Sequence, residues 1–134
     1  MANPASPRVI ALILCEQIIE DKETNNKTLI GLFNRITTHK IPYAHPRIAI
    51  LVSLVDGRGK VPISVRLVHV ETEKEVFNLK GQADFKDPTE TADLVLDIRG
   101  VPLNSTGLYA IEVLSHNELV GERRFSVVHV PREE

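Results

Sequence analysis

Arg8-Val-Ile-Ala-Leu-Ile-Leu-Cys15 is almost continuously apolar, and Thr28-Leu-Ile-Gly-Leu-Phe-Asn-Arg-Ile-Thr-Thr38 is its counterpart. Between them lies Glu20-Asp-Lys-Glu-Thr-Asn-Asn-Lys27, which has no apolar side chain. Two apolar runs rich in β-branched residues and joined by a polar turn predict a β-hairpin. Strand A is assigned from about Arg8 to Ile19, and strand B from Thr28 to about His39. A short helix over Val9 to Ile19 is the competing assignment, and the β-branched residues favour the strand. Val9, Ile10, Leu12, Ile13 and Leu14 are too many apolar residues for one face of a strand. Strand A is therefore expected to be covered on both sides or to lie in an oligomer contact. Gly31 marks a bulge or a close backbone approach within strand B.

The rest of the chain repeats the pattern of short strands and turns. Lys40 to Pro46 reads as a connector, because Pro42 and Pro46 lack the amide that a ladder needs. Strand C, Arg47 to Val55, is expected to turn through Asp56-Gly-Arg-Gly59 into strand D, Val61 to Val70. The charged turn Glu71 to Glu75 leads to strand E, Val76 to Phe85. After the loop Lys86 to Glu90 comes strand F, where Ala92, Leu94, Leu96 and Ile98 alternate with Asp93, Val95, Asp97 and Arg99. That period of two means one wet face and one buried face. Strand G runs from Gly107 to Ser115, and strand H from Leu119 to Val130 after a tight turn. The fold expected is all-β: an antiparallel two-sheet β-sandwich of about eight strands, immunoglobulin-like or a related Greek key. Turns after C, D and G are short enough for hairpins. The connections from B to C and from F to G are long enough to cross between sheets.

With 134 residues, one domain is expected, with residues 1–7 and 131–134 as loose ends. Such a chain buries a core without a metal or disulfide. A net charge of −2 supplies no basic field for nucleic acid or anionic lipid. The single cysteine, Cys15, excludes an internal disulfide and fits a reducing, cytoplasmic setting. The N-terminus lacks the pattern of a secretory signal, and Val9 to Cys15 is too short to span a bilayer. Asn26-Lys-Thr28 and Asn104-Ser-Thr106 match the glycosylation pattern and are read as turn chemistry.

No reaction follows from these residues. The histidines His39, His45, His69, His116 and His129 have no ligand spacing, although His39 and His45 flank one connector. Cys15 lies in an apolar strand, where a buried thiol keeps a raised pKa and stays inert. No Gly-x-Ser-x-Gly elbow occurs. Acidic groups cluster at Glu16, Glu20, Asp21 and Glu23, and again at Asp84, Asp87, Glu90 and Asp93. Loops of that kind can hold calcium or simply stay solvated. Asp56-Gly-Arg-Gly-Lys60 lacks the helix that would make it an anion cradle. Arg47, Arg58, Lys60, Arg123 and Arg124 lack the interleaved aromatics of a nucleic-acid surface. Tyr109 enters its strand as the corner tyrosine of immunoglobulin-like sandwiches does, and is read as structural.

Cys15-Glu-Gln17, then Lys27-Thr-Leu-Ile-Gly-Leu-Phe-Asn-Arg-Ile36, Ile41-Pro42, Asp56-Gly57 and Gly107-Leu-Tyr109 together resemble a family of small uncharacterised bacterial proteins. The resemblance spans nearly the whole chain. It implies a bacterial β-sandwich of unknown function and transfers no site residue. The leading expectation is a non-enzymatic binding or assembly module that meets a protein partner, foremost a second copy of itself. Neither nucleic acid nor membrane is expected as a partner, and no catalytic, cofactor or metal residue is assigned. The alternatives are a ligand-binding or hydrolytic protein, with a polar site in loops around His45, Asp87 and Asn104, and a calcium-binding module.

Overall fold

The computed structural model describes residues 6–132. Nine strands follow one another: β1 (Arg8–Glu20), β2 (Lys27–Leu32), β3 (Arg35–Thr38), β4 (Tyr43–Val55), β5 (Gly59–His69), β6 (Glu75–Phe85), β7 (Ala92–Leu103), β8 (Gly107–Ser115) and β9 (Glu118–His129). One sheet has the order β2-β1-β4-β7, the other β3-β9-β8-β5-β6. Among the described residues no helix is long and apolar enough to cross a membrane.

Alternation fixes the inner faces. In β4, Ile48, Ile50, Val52 and Leu54 are buried in the core. In β7, Leu94, Leu96 and Ile98 pack against it at the paired positions. The second sheet contributes Ile63, Val65 and Leu67 of β5, Tyr109, Ile111 and Val113 of β8, and Phe125 and Val127 of β9. Both sheets thus feed a single apolar cluster. Arg123 links them at one side, donating from Nη1 to the Leu12 carbonyl and from Nη2 to Asn34 Oδ1.

Three features depart from the expected layout. Strand B is two strands, because the chain leaves the first sheet at Phe33–Asn34. Phe33 turns its ring edge onto Phe125, 6.2 Å away, and β3 then runs parallel to β9. The second sheet is therefore mixed, and the described residues form nine strands where about eight were expected. The connector before strand C is shorter than expected. Tyr43, Ala44 and His45 pair with Leu103, Pro102 and Val101, extending both β4 and β7.

The third departure is the turn Asp56–Gly59, which does not close a hairpin. β4 pairs with β1 and β7, and β5 with β6 and β8, so this segment passes from one sheet to the other. Positive φ occurs at Asp56 and Gly59, whereas Gly57 is there for space, since a Cβ on it would lie 2.2 Å from Phe85 Cε2. The expected crossings before strand C and after strand F are present, as are the hairpins β1–β2, β5–β6 and β8–β9.

Of the loose ends, residues 1–5 and 133–134 lie outside the described residues. Pro7, expected in a loose arm, is buried.

Candidate functional site

β1 pairs with β4 only from Arg8 to Cys15. From Gln17 to Glu20 it pairs with β2 alone, as the stem of a two-stranded arm. Gly31 permits the bend at the base: its φ is 72°, and a Cβ there would stand 2.7 Å from Glu16 Cδ. At the far end Asp21 closes the turn, its Oδ1 accepting from the Glu23 and Thr24 amides. Those bonds hold the Asp21 carboxyl below the usual carboxylate range.

The arm lies over the outer face of its own sheet. Lys27 Nζ is 3.9 Å from Asp93 Oδ2, and Asp93 sits opposite Ser53 on the outward side of β7. β1 also approaches β7 although β4 separates them in the sheet. Cys15, Ala49 and Ser53 occupy outward positions yet are buried. The double cover that strand A's composition called for is therefore intramolecular at this position.

What the arm leaves exposed is apolar. Ile19, Ile30 and Leu32 are 45%, 41% and 59% exposed, and Ile10 near the start of β1 is 54% exposed. Thr28, Ile30 and Leu32 share one face of β2 by alternation, and Ile19 stands opposite Thr28. The other exposed large apolar residues, Leu79, Leu108, Leu119 and Val130, lie on β6, β8 and β9 or just past its end. Single exposed residues are ordinary, but a cluster along one edge strand marks a contact surface.

Beside the arm's base is a cavity of about 390 Å³ lined by Glu16, Gln17, Ile30, Tyr43, His45 and Arg47. His45 stands between two rings, 6.1 Å from Phe33 and 5.7 Å from Tyr43, and its Nδ1 is buried without a partner. Burial pushes the His45 pKa below the ordinary value of 6.5, with Glu16 opposing. Below that ordinary value the unfolded chain binds a proton more readily than the fold does. Stability is thus full above pH 6.5 and lost as pH falls through the depressed folded pKa. His45→Phe should flatten the acid-side fall of the thermal midpoint, and an unchanged slope would refute this assignment. Arg47 brings little free charge to the cavity, because Nε and Nη2 donate to Asp97 at 2.8 and 2.7 Å. That contact holds the Asp97 carboxyl below its usual range.

The other singled-out residues are used locally. His39 Nδ1 donates to the Val130 carbonyl and His129 Nε2 to the His39 carbonyl, so His39 serves the β3–β9 edge and not a pair with His45. His69 donates from Nε2 to the Thr106 carbonyl, and its Nδ1 accepts from Thr72 Oγ1. Burial pushes the Cys15 thiol up, and its Sγ faces the Gln17 and Ala49 carbonyls. Asp87 accepts from the Thr89 amide and hydroxyl within its own loop. Asn104 lines a different cavity, with His69 and Thr72, so His45, Asp87 and Asn104 do not share a site. Among the described residues no group of three or more His, Cys, Asp or Glu is placed to hold a metal ion. On the second sheet, Arg66 meets Glu112 and Glu75, and Arg124 meets Glu122. Sequence reasoning located strand A's surplus of apolar residues but missed the exposed set on β2, whose Thr28/Ile30/Leu32 spacing was the available signal.

A family model described as "Family of unknown function (DUF6941)" matches residues 10–128. The chain belongs to this family. DUF6941 membership covers both sheets and the whole arm, which makes the arm part of the family's matched region. No curated protein matches the chain. Among solved structures, an immunoglobulin-like protein from Pseudomonas aeruginosa has 13% identity and a TM-score of 0.48, covering 94% of this chain and 99% of that one. The alkylpurine DNA glycosylase AlkC from Pseudomonas fluorescens, bound to DNA containing an abasic site analog, has 11% identity and a TM-score of 0.55. The match covers 94% of this chain but only 31% of the glycosylase. A β-glucosidase from Listeria innocua in complex with isofagomine has 12% identity and a TM-score of 0.49, over 94% of this chain and 17% of the enzyme. At these identities the glycosylase likeness is one of fold alone.

Proposed function

We propose that this DUF6941 chain is a non-enzymatic recognition module, built as an immunoglobulin-like sandwich, whose copies associate through the β1–β2 arm. The sandwich reading is supported by the five sheet-to-sheet passages after β2, β3, β4, β6 and β7. It is supported again by Tyr109, whose hydroxyl donates to the Ser105 carbonyl at 2.7 Å, the tie of a tyrosine corner. The lone buried thiol suits a reducing, cytoplasmic setting.

The observation that carries the recognition reading is the exposed apolar set Ile19, Ile30 and Leu32 on an edge strand. An unblocked edge with apolar side chains is a template for pairing with another chain. Sedimentation equilibrium at micromolar concentration tests it. The expected result is a mass of about twice the 15.0 kDa of the chain, reduced by Leu32→Glu. A clean monomer at every concentration would sink the proposal.

A further inference from the structure

We infer that the crevice between β6 and β7 is a binding site for a small aliphatic carboxylate, with the chain between the two sheets and the head group at Lys80. β6 is an edge of the second sheet and β7 an edge of the first. Residues paired across strands share a face of their sheet. Leu79 stands opposite Val65 and Gly81 opposite Ile63, and both partners belong to the buried core. Leu94 and Leu96 stand opposite Val52 and Ile50, which are core residues as well. All four positions therefore face inward. Yet Leu79 is 41% exposed, and Leu94 and Leu96 are only half-buried. Inward positions that stay open mark a gap between the sheets, unlike the outward apolar residues of ordinary surface. That gap is a cavity of about 270 Å³ lined by these four residues, with Ile63 and Val65 of the core behind them.

Gly81 keeps the cavity open. Glycine inside a strand marks a bulge, a bend or the close approach of a ligand or another backbone. The pairing of β5 with β6 is regular through this position, so there is no bulge, and φ is not in the positive range. A Cβ here would meet nothing within 4 Å, the reverse of Gly57, so no neighbouring backbone crowds it either. What remains is the room that the missing side chain leaves. Its size selects the guest. The volume is just under the range of about 300–1,000 Å³ that holds drug-sized ligands, which suits one thin chain. The lining stretches, residues 79–82 and 93–96, run for about 13 Å at about 3.3 Å per residue, the reach of a medium-length alkyl chain. The charges of the rim select its head group. Both oxygens of Asp93 are engaged, Oδ1 by the Ser53 hydroxyl and Oδ2 by Lys27 Nζ at 3.9 Å. Lys80, the other charged residue of the lining, forms no ion pair among the described residues and leaves an ammonium for an anion.

Titration of the methyl-labelled protein with octanoate, followed by NMR, tests the site. Saturable shifts are expected at the methyls of Leu79, Leu94 and Leu96, and not at Ile10, Ile30 and Leu32 of the arm and its strand. Lys80→Met should weaken octanoate about threefold, the size of one exposed ion pair, and leave 1-octanol unchanged. Gly81→Leu should abolish the binding of both compounds. Its thermal midpoint without ligand should stay at or above that of the wild type, because the new side chain enters empty space and glycine is costly within a strand. Gly81→Val repeats the test if Gly81→Leu fails to fold by circular dichroism. No saturable shift, or shifts confined to the arm, overturns the site. Octanoate binding that survives the filled cavity overturns it as well. Octylammonium binding as tightly as octanoate overturns the carboxylate assignment.

Discussion

Tyr109→Ala should destabilise the fold by about 3–5 kcal/mol, the cost of emptying a large aromatic site in a close-packed core. Tyr109 is fully buried on β8. Its ring stacks on Phe125 with centroids 5.6 Å apart and takes the edge of His69 at 4.9 Å. The hydroxyl reaches back to Ser105, pinning the loop that carries the chain from one sheet to the other. Tyr109→Phe separates the two contributions. It keeps the packing and removes one hydrogen bond, for a loss of about 1–2 kcal/mol. Urea denaturation of the three proteins measures both steps. Equal losses for the alanine and phenylalanine variants would show that the ring contributes little, contrary to its burial.

Gly57→Ala should cost about 3 kcal/mol, at the upper end of the usual range for overpacking. A Cβ at this position would lie 2.2, 2.4 and 2.7 Å from Cε2, Cδ2 and Cζ of Phe85. Phe85 has no room to retreat, since it is only 2% exposed and belongs to the core cluster. Enlarging residue 57 therefore pushes on a rigid ring and not on a flexible side-chain end. Phe85→Leu in the same chain should recover part of the loss, because it clears the ring atoms nearest the new methyl. Thermal midpoints of the single and double variants give the coupling. Additive losses would show that the clash is relieved elsewhere.

These two residues also mark what the chain discloses before it folds. Tyr109 was legible: a turn-rich entry followed by alternating apolar residues placed it at the corner where it stands. The alternation of β7 was legible for the same reason, because one buried face imposes a period of two. Gly57 was misread. Asp-Gly is a hairpin signal in isolation, yet the segment changes sheets, and nothing local records that Phe85, remote in sequence, lies beneath it. The break at Phe33–Asn34 was equally silent, having neither glycine nor proline to announce it. The apolar excess of strand A predicted extra cover. It did not say whose, because the residues that accept the chain's own arm have the composition that a second molecule would require. Of the candidate site, the sequence disclosed the strand pair but not that the arm crosses β4 to reach Asp93.

The parallel junction of β3 with β9 sets Arg35 beside Ser126 and Thr38 beside His129. Contacts so distant along the chain are slow to form, because a large entropy loss precedes any gain. During synthesis the segment Arg35–Thr38 must wait, unpaired, until β4 to β8 and then β9 itself have left the ribosome. The nascent protein thus cannot complete its second sheet piecemeal, and any truncation within β9 strands a segment made six strands earlier.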